Sequence, residues 1–393
     1  MSGSPHKVLF IGHDATRTGA PLVLLHFLRW LRQNSAVEFE ILLRQGGELL
    51  GDFQQLAPTS VLHRGLISKG EAKLVPRLRR KYDLNPSIAK QLERLYPRER
   101  FPLVYSNTIT NGEFLIQFSR LGHRTLCHAH EMRYNIETIG YPHAKPAAGV
   151  TDSFIAASEG ISRDLQDALK VAAKKITVIQ PFGHPSVLTR ETQRVAREKI
   201  RTELGVGGSD VVVGMCGAGH WRKGFDLFPQ LAKTVGRLRP AGGYVFLWLG
   251  VDVETEEYQQ MIHDRSLMGL EQTLKLIPSV SNPQDYLSAM DVFTLTSRED
   301  PFPLVCLEAA ALGVPLVCFA GSGGAQDLIG ADGGQVVPYL DIDAMAKAVL
   351  SLSEDDERRR QIGEVLRARV SDFTLETQAP KLLATIEENL RAV

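Results

Sequence analysis

Short apolar runs alternate with longer amphipathic stretches along the whole chain. In the first half, the runs cover residues 7–12, 39–43, 103–106, 125–129, 153–157 and 176–179, with a further short run near Val61. Runs of this length and content are typical of strands buried on both faces of a sheet. The stretches between them favour helices, which gives βα units of about 25–30 residues. This repeat predicts a parallel, doubly wound α/β sheet.

The same alternation continues in the second half, after a break. Residues 180–186 (QPFGHPS) are rich in Pro and Gly, carry no periodicity and form the candidate linker. Strand-like runs then follow at 210–216, 244–250, 274–277, 291–296, 315–319 and 336–337. A length of 393 residues is too great for one ordinary core. We therefore predict two α/β domains, residues 1–182 and 187–372, followed by a C-terminal segment, 373–393.

The composition narrows the class of protein. The chain carries 45 basic and 45 acidic residues, and this balance argues against a nucleic-acid binder. The four cysteines, Cys127, Cys216, Cys306 and Cys318, are far apart and lack metal-ligand spacing, which fits a reducing compartment. The N-terminal MSGSPHK has no apolar signal region, and no run of about 18 apolar residues occurs. We expect a cytoplasmic protein without a membrane span.

One segment, residues 69–100, is locally basic. Its cations are concentrated at Lys69, Lys73, Arg77, Arg79, Arg80 and Lys81. The ordinary interpretation is the solvated face of a helix. The alternative is a surface for anionic lipid or a phosphorylated acceptor, which would allow peripheral contact with the inner face of a membrane.

The most informative stretch is residues 297–313, SREDPFPLVCLEAAALG. It follows the predicted strand 291–296, so its first residues lie at the carboxyl edge of a sheet, where ligands bind in open α/β folds. A helix follows the two prolines, carries Glu308 in its second turn and stops at Gly313. Asp300 and Glu308 are separated by seven residues. The alternative is a capped helix that carries a solvated acid.

Two other loops join a strand to a helix N-terminus. Residues 217–224, GAGHWRKG, place Arg222 and Lys223 after the strand 210–216. Residues 13–21 place Gly19 and Ala20 before a helix, where free backbone N–H groups and the helix dipole favour an anion. The alternatives are a surface Arg-Lys pair and an ordinary βα turn.

A histidine pair marks the end of another strand. His128 and His130 flank Ala129 at the end of the run 125–129, with Glu131 next. His130 is the candidate functional residue, and a histidine satisfied within the core is the alternative. A metal site is disfavoured because no third ligand has matching spacing.

The stretch 297–313 resembles the EX7E motif of retaining GT-B glycosyltransferases, family GT4 in particular, with Asp300 in place of the first Glu. The loop 217–224 is a second match, and the resemblance covers nearly the whole chain. It implies the GT-B fold, an α/β architecture in which two Rossmann-like parallel-sheet domains face each other across a cleft. The N-terminal domain would bind the acceptor and the C-terminal domain the nucleotide sugar. The segment 373–393 would cross back to the N-terminal domain.

The resemblance also implies an activity. The protein would move a hexose-type sugar from a nucleotide diphosphate sugar, UDP- or GDP-linked, to a glycan, a lipid-linked glycan or another hydroxyl acceptor. The reaction would retain the anomeric configuration and need no metal or other cofactor. The family's commonest setting is polysaccharide biosynthesis.

The resemblance assigns a role to each matching position. His130 would lie near the donor sugar, and Asp300 would bind its hydroxyl groups. Glu308 would hold the ribose. The diphosphate, which leaves with negative charge, would be neutralised by Lys223, with fixed cations lowering the barrier. The catalytic candidates are thus His130, Lys223 and Asp300, and the donor-binding candidates are Gly19, Ala20, Arg222, Lys223, Phe302, Pro303, Leu304 and Glu308. Backbone N–H groups in the stretch from Phe302 to Leu304 would assist Asp300 in binding the sugar.

The chain departs from the family pattern at three positions. Asp300 is shorter than Glu by one C–C bond, about 1.5 Å. The usual phosphate-binding Arg falls on Ala218, so Arg222 is the candidate substitute. Gln326 stands where the family usually has an acid.

Two other functions fit a GT-B fold. One is different chemistry, such as epimerisation or phosphorolysis, and the other is a non-catalytic subunit that binds a nucleotide sugar. A dinucleotide oxidoreductase is disfavoured because no GxGxxG follows the first strand.

Overall fold

The computed structural model describes residues 7–63, 66–68, 86–137, 141–183 and 188–393. The chain divides into two units, Met1–Phe182 with Leu375–Val393, and Gly183–Thr374. Most of the predicted basic segment, residues 69–85, lies outside the described residues. Among the helices that the structure describes, none has both the length and the apolar content needed to cross a bilayer.

The first unit is built on one sheet, whose strands are β1 (Lys7–Gly12), β2 (Glu38–Leu43), β3 (Thr59–His63), β4 (Leu66–Ser68), β5 (Leu103–Ser106), β6 (Arg124–Ala129), β7 (Ser153–Ala156) and β8 (Ile176–Val178). The strand order is β4-β3-β2-β1-β5-β6-β7-β8. β4 pairs antiparallel to β3, and the other pairs are parallel. The predicted strands are confirmed, but β4 was not predicted.

Helices connect these strands and cover the sheet. They are α1 (Gly19–Asn34), α2 (Leu50–Leu56), α3 (Pro86–Leu95), α4 (Gly112–Arg120), α5 (Arg133–Asn135), α6 (Tyr141–Val150) and α7 (Glu159–Asp167). The apolar face of α1 packs against β1 because Leu24, Phe27 and Leu28, at helical spacing, are all buried.

The second unit has a fully parallel sheet, whose strands are β9 (Val211–Cys216), β10 (Tyr244–Val251), β11 (Leu274–Pro278), β12 (Val292–Leu295), β13 (Leu316–Phe319) and β14 (Gly334–Val337). The order is β11-β10-β9-β12-β13-β14. Its helices are α8 (Arg190–Glu203), α9 (Leu227–Leu238), α10 (Glu256–Leu267), α11 (Pro283–Ala289), α12 (Leu304–Ala311), α13 (Ala325–Ile329), α14 (Ile342–Ser353) and α15 (Asp356–Arg369).

Each sheet has one place where the strand order reverses. In the first unit the chain winds outward from β1 to β3 and then restarts on the other side of β1 with β5. In the second it winds from β9 to β11 and restarts beside β9 with β12. The loops that leave the two central strands diverge there and create a crevice at the carboxyl edge of the sheet. Every predicted site residue lies on or just after one of these loops, or after β6.

The last helix, α16 (Leu375–Arg391), belongs to the first unit. Its buried residues Ala379, Leu382 and Ile386 join the apolar cluster of β1 and α1. Near its end, the Asn389 Oδ1 accepts hydrogen bonds from Arg124 Nε at 2.8 Å and from Ser153 Oγ at 2.7 Å. The helix is therefore fixed both by apolar burial and by polar contacts to β6 and β7.

Candidate active site

The loop after β9 is held against the end of β12 by a glycine. Residues Trp221–Lys223 form a 3₁₀ turn that ends at Gly224, whose φ is +71°. A Cβ at this position would lie 2.0 Å from the Thr296 carbonyl oxygen. In return, Thr296 Oγ1 donates to the carbonyls of Lys223 at 3.2 Å and Gly224 at 3.3 Å. The close approach of the two loops requires glycine here.

This approach brings three of the predicted residues together. Lys223 Nζ donates to Asp300 Oδ2 at 2.5 Å, and Arg222 Nη1 lies 3.9 Å from Asp300 Oδ1. Arg222 also donates to the Glu299 carbonyl at 2.8 Å. Asp300 is only 5% exposed, so its carboxylate is enclosed with two cations beside it. Arg222, which the sequence proposed as a substitute for the missing Arg, is therefore directed at the acidic loop.

A third loop fixes the backbone of Asp300. The Asp300 N–H donates to the Ser322 carbonyl at 2.6 Å, and the Gly324 N–H donates to the Asp300 carbonyl at 3.2 Å. Gln326, which replaces the usual acid, accepts a hydrogen bond from the Gly321 N–H at 3.2 Å. Gln326 thus stabilises the loop that precedes it by a hydrogen bond to the backbone.

Glu308 lies nearby, but its carboxylate has no hydrogen-bond donor in the described part of the chain. Burial raises the pKa of Glu308. Burial, followed by the charge of Glu308, raises the pKa of the Cys216 thiol to about 12, and Lys223 opposes this shift. The charges of Glu308 and Lys223 therefore both act on the last residue of β9.

The remaining donor-binding candidates form the start of α12. The helix begins at Leu304, after Pro303, and its last turn is followed by Gly313 in the left-handed region, with φ of +70°. Phe302 is buried, and its ring packs 5.4 Å from that of Phe373. Phe302 can therefore contribute only its backbone to a ligand at this edge.

Sequence reasoning missed Arg298 and its support of the cationic turn. Arg298 donates to both carboxylate oxygens of Asp226, each at 2.8 Å, and to the Trp221 carbonyl at 2.8 Å. Its guanidinium carbon lies 4.7 Å from the centre of the Trp221 ring. The only available signal was one basic residue beside the two acids of the run Ser297 to Asp300, which does not reveal the direction of its side chain.

In the first unit, Asn107 connects the two predicted positions at the ends of β1 and β6. Its Nδ2 donates to the Ala20 carbonyl at 2.9 Å, and this fixes the orientation of the amide. The Oδ1 then faces His130, whose Nε2 lies 3.3 Å away and carries the proton. Burial, followed by the electrostatic effect of His13, lowers the pKa of His130 to about 3, so this histidine is neutral.

Glu131 braces the same edge. It accepts hydrogen bonds from Thr108 Oγ1, from the Ile109 N–H at 3.3 Å and from the His130 N–H at 3.1 Å. Thr108 also accepts from the Thr110 N–H at 3.0 Å, so it caps the short helical turn that follows β5. Burial raises the pKa of Glu131.

No neighbouring atom requires a glycine at the start of α1. A Cβ at Gly19 would meet nothing within 4 Å. Thr18 precedes the helix without a side-chain capping bond. Within the described residues, the amides of Gly19 and Ala20 have no acceptor, as is usual in a first turn. Among the described residues, no group of three or more His, Cys, Asp and Glu side chains is arranged to hold a metal ion.

Comparison with known proteins begins with the second unit. Residues 196–369 match the family model described as glycosyl transferases group 1. A D-inositol 3-phosphate glycosyltransferase of Corynebacterium aurimucosum is 25% identical over 56% of this chain and 53% of its own. The capsular polysaccharide biosynthesis glycosyltransferase CapM of Staphylococcus aureus is 27% identical over 56% of each chain. The chain spans about half the length of the curated relatives it matches.

Solved structures extend the likeness to both units. HepE of Anabaena in complex with UDP superposes with a TM-score of 0.77 at 18% identity, covering 97% of this chain and 100% of its own. The fold is GT-B. A second HepE structure, with UDP-glucose, gives a TM-score of 0.75. The predicted GT-B class, α/β with two Rossmann-like parallel-sheet domains, is confirmed.

The family match covers only some of the candidate residues of this GT-B chain. Lys223, Arg222, Asp300 and Glu308 lie inside residues 196–369, whereas His130 and the Gly19 loop lie outside them.

Proposed function

We propose that this protein is a retaining glycosyltransferase of the GT4 type. It transfers a hexose-type sugar from a nucleotide diphosphate sugar to a hydroxyl group of a glycan or lipid-linked glycan, without a metal. The observation that carries the proposal is the cluster of Lys223, Arg222 and Asp300 beside an open Glu308, inside the family-matched region.

The donor assignment has separate support. A nucleotide diphosphate needs fixed cations at its phosphates and an acceptor for its ribose hydroxyls. Lys223 and Arg222 provide the cations, and the Glu308 carboxylate has lone pairs that no described residue uses. HepE, which shares the fold, is described in complex with UDP and with UDP-glucose. We therefore favour a UDP-sugar, with a GDP-sugar as the alternative.

The N-terminal unit would contribute contacts to the donor and the binding site for the acceptor. Neutral His130 offers an uncharged ring to the donor sugar, and the free amides of Gly19 and Ala20 offer donors to a phosphate oxygen. The relatives named above act on an inositol phosphate and in capsular polysaccharide biosynthesis. A polyhydroxylated acceptor is the chemistry that these names share.

The proposed reaction proceeds on one face of the sugar. The bond from the anomeric carbon to the diphosphate oxygen breaks while the acceptor oxygen bonds to the same face. The departing phosphate oxygen takes the acceptor's proton. Lys223 and Arg222 stabilise the charge that develops on the diphosphate, where fixed cations contribute most to the rate. Asp300 binds hydroxyl groups of the sugar as it passes through an oxocarbenium-like state.

The test is a hydrolysis and transfer screen with UDP-, GDP- and dTDP-sugars, with and without EDTA. We expect slow hydrolysis of one UDP-sugar that survives EDTA, and a product with the donor's anomeric configuration by NMR. Lys223→Met should abolish it, whereas Lys233→Met, an exposed lysine on α9, should not. Tight binding without any turnover would instead identify a non-catalytic subunit, and epimerised sugar would identify other chemistry.

A further inference from the structure

A cavity of about 420 Å³ opens at the amino-terminal edge of the second unit's sheet. Its walls are α8 and α15, and its floor is formed by Asp291, just before β12, and by Val314 and Pro315, just before β13. The candidate donor site lies at the carboxyl edge of the same sheet. This cavity is therefore a separate feature that the proposed transfer does not use.

The cavity is strongly basic because both helices turn arginines towards it. The face of α8 contributes Arg190 and Arg197, seven positions apart, and α15 contributes Arg360 and Arg367, also seven apart. This spacing repeats one face of a helix. Of the described residues that line the cavity, five are arginines and two are carboxylates.

Two of these arginines are built into the fold. Arg197 donates to the carbonyls of Ser288, Ala289 and Met290 at 3.1–3.2 Å. Arg367 donates to the Ala311 carbonyl at 2.6 Å and to Gln193 Oε1 at 2.8 Å, so it caps the end of α12. Arg197 Nη2 also pairs with Asp291 Oδ1 at 2.5 Å, so the charge of Arg197 is balanced within the floor. Arg367 has a weaker partner, Glu364, at 3.9 Å, and its charge is the fixed one at the base of the cavity.

Two others have spare donors. Arg190 uses Nη2 alone, which contacts both oxygens of Glu364 at 3.0 and 2.9 Å. Arg360 uses Nε and Nη2 on Glu357, at 3.0 and 2.6 Å. Their other N–H groups have no partner among the described residues. The two side chains are 75% and 65% exposed, so their ion pairs are weak and can be exchanged.

One carboxylate serves two arginines at the base of the cavity, because Glu364 lies 2.9 Å from Arg190 and 3.9 Å from Arg367. Burial lowers the pKa of Arg367; Glu364 opposes this shift, and the charge of Arg190 adds to it more weakly. An anion between Arg190 and Arg367 would relieve this repulsion. Guanidinium groups match the geometry of phosphate and donate to it in pairs.

We propose that this cavity binds a small phosphate-bearing anion. Arg190 and Arg360 supply the exchangeable N–H groups, and Arg367 supplies the fixed charge beneath them. The ligand is a soluble phosphate compound, because the arginines line a recess between two helices and the edge of the sheet instead of a flat face. A membrane headgroup is the alternative that the test excludes.

The test uses pyrophosphate as the probe and the full chain saturated with UDP, so that any donor site is already occupied. Calorimetry compares the parent protein with Arg190→Gln/Arg360→Gln. The matched control is Arg194→Gln/Arg358→Gln, which removes two exposed arginines from the same helices outside the cavity. Both pairs should leave folding intact, because each removes only exposed contacts.

We expect saturable binding that the Arg190/Arg360 pair weakens by about tenfold or more, and the control pair by less than about twofold. Pyrophosphate should also raise the melting temperature of the parent and of the control, but not of the Arg190/Arg360 variant. Equal affinity in all three proteins would overturn the proposal. So would sedimentation with phosphatidylglycerol vesicles that depends on Arg190 and Arg360 without saturable pyrophosphate binding. Neither outcome depends on whether UDP binds at Lys223.

Discussion

Lys223 and Asp300, which the motif assigns to different parts of a sugar donor, form an ion pair with each other at 2.5 Å. Arg222 approaches the other carboxylate oxygen at 3.9 Å, and Ser297 Oγ donates to Oδ2 at 3.4 Å. Before the diphosphate can use Lys223 fully, it must compete with this carboxylate. Asp300 thus has two roles in the proposed reaction, as a ligand of the sugar and as the counter-ion of the phosphate-binding lysine.

The pair predicts that Asp300→Asn separates binding from transfer. The amide leaves Lys223 and Arg222 without a full counter-charge, so UDP should bind about three- to tenfold more tightly while transfer is lost. Calorimetry with UDP and a transfer assay would measure the two effects. Asp300→Glu is the control, since it keeps the charge and should leave UDP affinity within about twofold. Weaker UDP binding in Asp300→Asn would show that the carboxylate does not compete with the phosphates.

We expect Glu308 to favour UDP binding but to reduce the thermal stability of the folded protein at neutral pH. Burial raises its pKa, so the folded state holds a proton more tightly than the unfolded state does. The stability that this proton gives is present at low pH and is lost as the pH rises through the raised pKa. Glu308→Gln should therefore raise the melting temperature at pH 7 by about 1–3 °C but not at pH 4, and should weaken UDP binding.

Thermal unfolding at both pH values, with UDP calorimetry, checks this prediction. Glu257→Gln, an exposed acid on α10, is the matched control and should change neither quantity. A melting temperature for Glu308→Gln that is lower than the parent's at pH 7 would contradict the argument from burial.

Replacing Gly224 should show how strongly the position of the turn Trp221–Lys223 depends on its close approach to the end of β12. Gly224→Ala places a Cβ 2.0 Å from the Thr296 carbonyl in addition to the strain of φ +71°. We expect a loss of about 2–4 kcal/mol in the free energy of unfolding, together with reduced UDP affinity. Gly205→Ala separates the two causes, because Gly205 has φ of +67° but no atom within 4 Å of the added Cβ. That variant should lose only about 1 kcal/mol, and an equal loss in both would mean that the contact with Thr296 is unimportant.

The sequence was sufficient for the strands and for the edge of the sheet where the site lies. Apolar runs of strand length predict the two sheets, and the motif residues follow the central strands, where the strand order reverses. β4 was missed because three residues, Leu66–Ser68, provide too little pattern to recognise. The predicted helix after the two prolines is confirmed: it begins at Leu304, and Pro303, with extended backbone angles, is its N-cap.

The directions in which side chains point could not be predicted from the sequence. Arg222 and Lys223 are adjacent, and only the 3₁₀ turn sends both towards Asp300. Phe302 is a donor-binding candidate through its backbone N–H, and that role stays a prediction. Its side chain packs on Phe373, a contact between residues 71 positions apart that no local pattern contains. The same limit applies to Asn107, whose link between Ala20 and His130 depends on the order of the sheet.

His130 predicts a pH dependence of stability rather than of activity. Its pKa of about 3 lies below the ordinary value of 6.5, so the unfolded state binds the proton first. The stability due to the neutral ring is complete above pH 6.5 and is lost as the pH falls towards 3. His130→Gln should therefore lose less stability than the parent between pH 6.5 and pH 4, with kcat reduced at every pH. Chemical denaturation across this range, with exposed His263→Gln as the control, measures the difference. A parent transfer rate that falls with an apparent pKa near 6.5, and no longer does so in His130→Gln, would mean that the ring becomes protonated and is not the neutral group inferred from its burial.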